Sequence, residues 1–247
     1  GTNHQYMLFF TQKGKCFWMR VYEIPEGSKT AKGRAIQNLI NIEQDDKVKA
    51  FINTQDLKDD DYINNHYVIM ATKKGQVKKT LLEQYSRPRA NGINAITIKD
   101  DDELLEAKLT TGNSQILLAV KSGKAIRFEE NKTRPMGRNA SGVRGIALNV
   151  PTDEVIGMVS VSDPETEILV VSENGYGKRS SLEDYRTTNR GGKGVKTLSI
   201  TDKTGSLVSI KNVSDLDDLM IINKSGIAIR MDVANLRVMG RATQGVK

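Results

Sequence analysis

Cations recur in this chain at fixed distances from glycine. Lys79, Arg127, Arg179 and Arg230 each stand four residues beyond a glycine flanked by apolar runs, with Trp18 in that place in the first copy. Lys29, Arg138, Arg190 and Arg241 each stand four residues before a second glycine, and Arg89 is displaced by one. Single charged side chains are usually no more than a solvated face. A phased row suits a polyanion with regularly spaced phosphates, because Arg offers bidentate contacts and amides beside glycine can approach closely. Neighbouring cations enlarge the candidate set: Lys32, Arg34, Lys78, Arg87, Lys124, Arg134 and Arg144 in the first three copies, and Lys178, Arg186, Lys193, Lys196 and Arg237 beyond them. One loop, Asn189-Arg190-Gly191-Gly192-Lys193-Gly194, combines this chemistry with backbone freedom.

Other chemistries find little support. A lone Cys16 rules out a disulfide framework and cysteine-based zinc sites. His4 and His66 fall outside the glycine-spaced pattern, and the Tyr residues have no basic catalytic motif around them. Gly191-Gly-Lys-Gly194 lacks the glycine spacing and the Ser/Thr of a nucleotide-binding P-loop. The runs Asp59–Asp61 and Asp100–Asp102 lack the Gly and Glu of an EF-hand and read as linkers. The reading is therefore a non-catalytic chain with no metal and no cofactor of its own. No basic leader and no apolar run of spanning length is visible, so a cytoplasmic home is expected.

The elements that must position these cations are repeats. Short apolar runs end before Gly14, Gly75, Gly123, Gly175 and Gly226 and resume after them, which predicts five β-hairpins. The second glycines, Gly33, Gly92, Gly142, Gly194 and Gly245, follow at offsets of 17 to 19 residues. Arg134-Pro-Met-Gly-Arg138 with Gly142-Val143 reappears as Arg237-Val-Met-Gly-Arg241 with Gly245-Val246. Repeats of about 50 residues are expected at 1–61, 62–109, 110–161, 162–213 and 214–247, within one domain spanning 1–247. With no long 3.6-residue periodicity the class is all-β, each repeat amounting to one propeller-type blade. Opening on Gly1 and stopping inside a fifth repeat, the chain reads as part of a longer polypeptide.

Charge follows the same period. The five stretches from hairpin to second glycine carry +20 of a whole-chain net of +7, so the connecting segments are acidic. Aromatics make up only 5% and show no array suited to stacking on splayed bases, which favours duplex over single-stranded nucleic acid. Without a recognition helix, little base readout is expected.

The chain resembles the C-terminal domain of the DNA gyrase A subunit. The strings that carry the resemblance include Val21-Tyr-Glu-Ile-Pro25, Lys124-Ala-Ile-Arg-Phe128, Gly142-Val-Arg-Gly-Ile146, Asn174-Gly-Tyr-Gly-Lys-Arg179 and Val238-Met-Gly-Arg241. That resemblance implies a six-bladed β-pinwheel, five repeats of which are visible here. It also implies chiral wrapping of duplex DNA on an outer rim, in service of ATP-dependent negative supercoiling. The implied partners are DNA, the rest of the gyrase A polypeptide and the gyrase B polypeptide, joined in an A2B2 complex. ATP and Mg2+ would be bound elsewhere, and the isolated domain is expected to be monomeric. The family's hallmark Gln-Arg-Arg-Gly-Gly-Lys-Gly is expected in a blade before Gly1, with Thr188-Asn-Arg-Gly-Gly-Lys-Gly194 a similar string in the fourth repeat. Two alternatives stand: the related subunit of topoisomerase IV, and a propeller that binds protein partners.

Overall fold

The computed structural model describes residues 2–247. Seventeen strands and one short α-helix follow in order, with six short 3-10 helices among them. The first hairpin is β1 (Tyr6–Thr11) and β2 (Lys15–Arg20), then β3 (Val48–Asn53), α1 (Asp60–Asn64), and a second hairpin of β4 (Tyr67–Thr72) and β5 (Gln76–Leu81). Next come β6 (Ile93–Asn94), β7 (Leu104–Thr110), a third hairpin of β8 (Gln115–Val120) and β9 (Lys124–Glu129), β10 (Val143–Arg144) and β11 (Val155–Val161). A fourth hairpin, β12 (Glu167–Ser172) and β13 (Gly177–Ser181), precedes β14 (Val195–Lys196) and β15 (Leu207–Val213), and a fifth pairs β16 (Asp218–Ile222) with β17 (Ala228–Asp232). All five predicted hairpins form, and the fold is nearly all-β. The aspartates at 59–61, expected as linker, start α1 instead, because the Asp59 carboxylate accepts hydrogen bonds from the amides of Asp61 and Tyr62.

Blades do not coincide with sequence repeats. The sheets run β3-β1-β2-β6, β7-β4-β5-β10 and β11-β8-β9-β14, so the outermost strand of each comes from the following repeat. The three-stranded sheet β15-β12-β13 is extended the same way, by a bridge between Gly177 and Val246. The second glycines make this exchange possible. Gly142, at φ +90°, lies against the Val77 main-chain oxygen, and Gly245, at φ +80°, lies so close to Gly177 that an added Cβ would sit 2.6 Å from its oxygen. Gly142→Ala therefore meets both a left-handed backbone and a collision, and should cost about 2 kcal/mol or more, read as a lowered urea midpoint.

The described residues divide into two compact units, residues 2–113 with 130–145, and residues 114–129 with 146–247. In the first, Leu8, Phe10, Ile52, Val68, Met70 and Tyr85 belong to one buried cluster. In the second, Leu117, Val159, Ile168, Val170, Tyr185 and Ile210 do the same. Strands β4 and β8 are each buried at five consecutive positions. This is why the hairpins read as continuous apolar runs and not as alternation.

Candidate nucleic-acid interface

The predicted cations separate into three groups. The first is interior. Lys79 is buried, its ammonium 3.2 Å from the fully buried Glu130 carboxylate and 4.5 Å from the centroid of the Tyr67 ring. Arg179 is buried as well, pairing with Glu167 at 2.8 Å and with Asp215, and donating from Nε to the Leu236 carbonyl at 2.7 Å. Arg127 donates to Gln115 Oε1 at 3.1 Å and to the Leu182 and Tyr185 carbonyls, each at 3.0 Å. The expected outer row of residues four beyond the turn glycine is thus corrected at Lys79 and Arg179, while Arg127 is half-buried and keeps part of its surface on an open cleft. The physical reason is strand exchange: the main chain at these three positions bridges to Pro135, Thr187 and Val238 of the returning segment, which covers the side chains. Arg230 remains exposed but is paired with Asp218 on the neighbouring strand.

Lys78 and Lys178, also expected outside, are corrected too. Lys78 Nζ donates to the main-chain oxygens of Ala95 and, at 2.7 Å, Arg138. Lys178 Nζ donates to the carbonyls of Gly240 at 2.7 Å, Arg241, and Thr243 at 3.0 Å. Burial pushes their pKa values down, to about 7 for Lys78 and about 8 for Lys178. In the first unit Tyr85, whose hydroxyl donates to the same Ala95 oxygen at 2.9 Å, is pushed up by burial.

A second group is half-buried and clamps the returning loops. The Arg138 guanidinium donates to the Asn94 carbonyl at 3.0 Å, and that of Arg241 to the Asp184 carbonyl at 2.9 Å and to the Lys196 carbonyl. One guanidinium donor of Arg138 and two of Arg241 are engaged in this way, and both side chains stay part-exposed. Lys124 and Arg190 are likewise half-buried.

The third group is exposed. Arg134, Arg186 and Arg237 stand eight residues before the second glycine of their repeats, and Arg144 and Lys196 stand two after it on the outermost strands β10 and β14. Lys193 is exposed in the Gly-rich loop. This phase, at eight before and two after, is present in the sequence but differs from the one at four beyond and four before. Together with Arg127, Arg186 and Lys193, the loop residues Thr188, Asn189 and Gly192 line an open cleft of about 290 Å³. In the first unit Lys29, Lys32, Arg34 and Arg89 are exposed, and Arg87 is exposed while 3.1 Å from Glu83. Gly33 has no atom near its Cβ position, in contrast to the second glycines that abut a strand.

Among the described residues, no group of three or more His, Cys, Asp or Glu stands close enough to hold a metal ion, and no helix is long and apolar enough to cross a membrane. Four-stranded sheets registered by glycine, each completed by the next repeat and fringed with cationic returning loops, define a propeller-type β-repeat domain.

The chain belongs to the family described as the DNA gyrase C-terminal domain, beta-propeller, which it matches over residues 5–55, 66–111, 115–162, 166–214 and 217–247. It is 44% identical to the DNA gyrase A subunit of Staphylococcus epidermidis (strain ATCC 12228 / FDA PCI 1200) and 43% identical to that of Staphylococcus aureus (strain NCTC 8325 / PS 47). All of this chain is covered in both comparisons, and it spans 27% of each relative's length. Among solved structures, the C-terminal domain of a DNA topoisomerase IV aligns with TM-score 0.86 at 25% identity, covering 98% of this chain and 74% of the other. A DNA gyrase A C-terminal domain aligns with TM-score 0.84 at 24% identity, covering 100% and 78%.

Proposed function

We propose that this chain binds duplex DNA without sequence specificity and wraps it, as the DNA-handling domain of a gyrase. The observation that carries this reading is the exposed cation set on the returning loops, at matched places in successive repeats. Phosphate contacts position a duplex without reading its sequence, and only many of them can offset the elastic cost of bending it. Identity of 43–44% to gyrase A subunits favours gyrase over topoisomerase IV as the parent enzyme. In that parent the chain works with the remaining gyrase A segments and with gyrase B in an A2B2 assembly, and the wrap directs ATP-driven strand passage toward negative supercoils. Catalytic groups and nucleotide lie outside this chain, which acts in the cytoplasm.

The test uses relaxed circular plasmid. The chain is bound, the plasmid is relaxed again with a type I topoisomerase, and protein is removed. A shift in linking number that grows with protein added is expected, and an unchanged linking number at saturating binding would overturn wrapping. Affinity should also be nearly equal among duplexes of different sequence, save for easily bent steps. Selection from random duplexes checks this, and a strong consensus would contradict it.

A further inference from the structure

Lys78 and Lys178 occupy the same repeat position, three residues beyond Gly75 and Gly175. Each ends beneath a turn donated by the following repeat, Met136-Gly-Arg138 in one unit and Met239-Gly-Arg241 in the other. Neither ammonium has a carboxylate among its hydrogen-bond partners, which are main-chain oxygens, with the Thr243 hydroxyl added for Lys178 at 3.1 Å. Burying a long cationic side chain without an anion is costly unless its donors are satisfied. Here the partners include carbonyls of a turn that carries exposed arginine on its approach, Arg134 in the first case and Arg237 in the second, with the Ala95 oxygen from outside the turn added for Lys78. The two turns are closed alike, by Ala140 donating to the Gly137 oxygen and Thr243 to the Gly240 oxygen, both at 3.2 Å. The third hairpin supplies the contrast. Its matching residue is the buried Ile126, and the loop above it is the Gly-rich Asn189–Gly194, where a Cβ on Gly192 would lie 3.6 Å from the Ile126 side chain. An internal ammonium accompanies the Met-Gly-Arg turns, and hydrocarbon accompanies the glycine-rich loop.

We propose that Lys78 and Lys178 are positioning residues for DNA binding, each side-chain nitrogen fixing from below the turn that presents the exposed arginine beside it. This rests on the DNA-binding reading above. A turn released from its lysine spends part of its time in other geometries, and apparent affinity falls by the fraction of time the competent one is held.

Charge state gives the device a signature. The groups facing Lys78 are the Arg138 guanidinium, the Tyr85 hydroxyl and, behind these, the Cys16 thiol. Those facing Lys178 are Arg241, Asp184 and, beside them, Tyr185. Burial raises the thiol and both tyrosines, Tyr185 to about 12, while it lowers the two lysines to about 7 and about 8. Both lysines are depressed below their ordinary value, so between pH 7 and 9 the unfolded chain binds more protons than the folded one. Stability therefore rises with pH. The turns follow the same linkage, because a turn that lifts away returns its lysine to water and to its ordinary value, so the closed turn is held more firmly as pH rises.

The experiment measures duplex affinity, unfolding midpoint and amide protection at Ala140 and Thr243 from pH 6.5 to 9 at constant ionic strength. It compares the parent chain with Lys78→Met/Lys178→Met. The parent should gain turn protection and affinity as its midpoint rises. The double variant should bind about tenfold more weakly at pH 7, with an affinity independent of pH. Affinity and turn protection that do not change with pH in the parent would overturn the proposal, as would a folded double variant with the parent's affinity. Should the double variant not fold, the parent's series decides alone. Should the parent not bind duplex at all, the DNA-binding reading fails, and turn protection across the series still decides whether the lysines hold the turns.

Discussion

Changing Arg134, Arg186, Lys193, Lys196 and Arg237 together to Gln is expected to lower duplex affinity at least about a hundredfold near ~0.1 M salt, with little change in stability. All five are exposed and lie on returning loops or the outermost strand β14. The reason is counterion release: each phosphate neutralised contributes about −0.9 to the slope of log K against log salt, so losing five contacts should flatten that slope by about 4.5. Single changes should each cost little. Fluorescence anisotropy on a labelled linear duplex, over a series of salt concentrations, reads both quantities. A folded quintuple variant with the parent's slope would place the binding surface elsewhere on the molecule.

Lys79→Met is expected to be the opposite kind of lesion, severe for folding and neutral for the salt slope. Both Glu130 carboxylate oxygens are buried and lack any hydrogen-bond partner, so the Lys79 ammonium at 3.2 Å is what compensates that charge. Removing one member of such a pair leaves an uncompensated buried charge and costs about 3–5 kcal/mol. Replacing both, as Lys79→Met with Glu130→Leu, should recover most of the loss, since a hydrophobic pair of similar volume is often neutral or better. Urea unfolding of the two singles and the double forms a cycle with a large coupling energy. Near-additive effects would show that the pair is not coupled, and a reduced salt slope in folded Lys79→Met would return this position to the DNA surface.

Much of this architecture could be read from residues alone. Turn glycines and the apolar runs around them locate all five hairpins, because each turn imposes a positive φ that glycine adopts without strain. The second glycines mark where a returning segment must lie flat on a strand, as Gly142 does on Val77. What could not be read was which repeat supplies the partner of each strand. That single fact decides the fate of the cations. Lys79, Arg127 and Arg179 recur in phase because each sits under a returning segment, so their regularity records a structural role. The candidates at Arg134, Arg186 and Arg237 are equally regular, and only burial separates the two sets. Periodicity in a repeat fold therefore identifies equivalent positions without revealing which of them faces water. The buried lysines posed the same difficulty in sharper form, since a Lys-Lys or Lys-Arg pair within a hairpin reads as surface until carbonyls from another repeat close over it.

The most direct test is the salt dependence of binding to linear duplex by the parent chain. Log K should fall linearly with log salt, with a slope steeper than about −4 that is the same for duplexes of unrelated sequence. An affinity that changes little between ~50 and ~200 mM salt would contradict the claim that exposed loop cations hold the DNA through its phosphates.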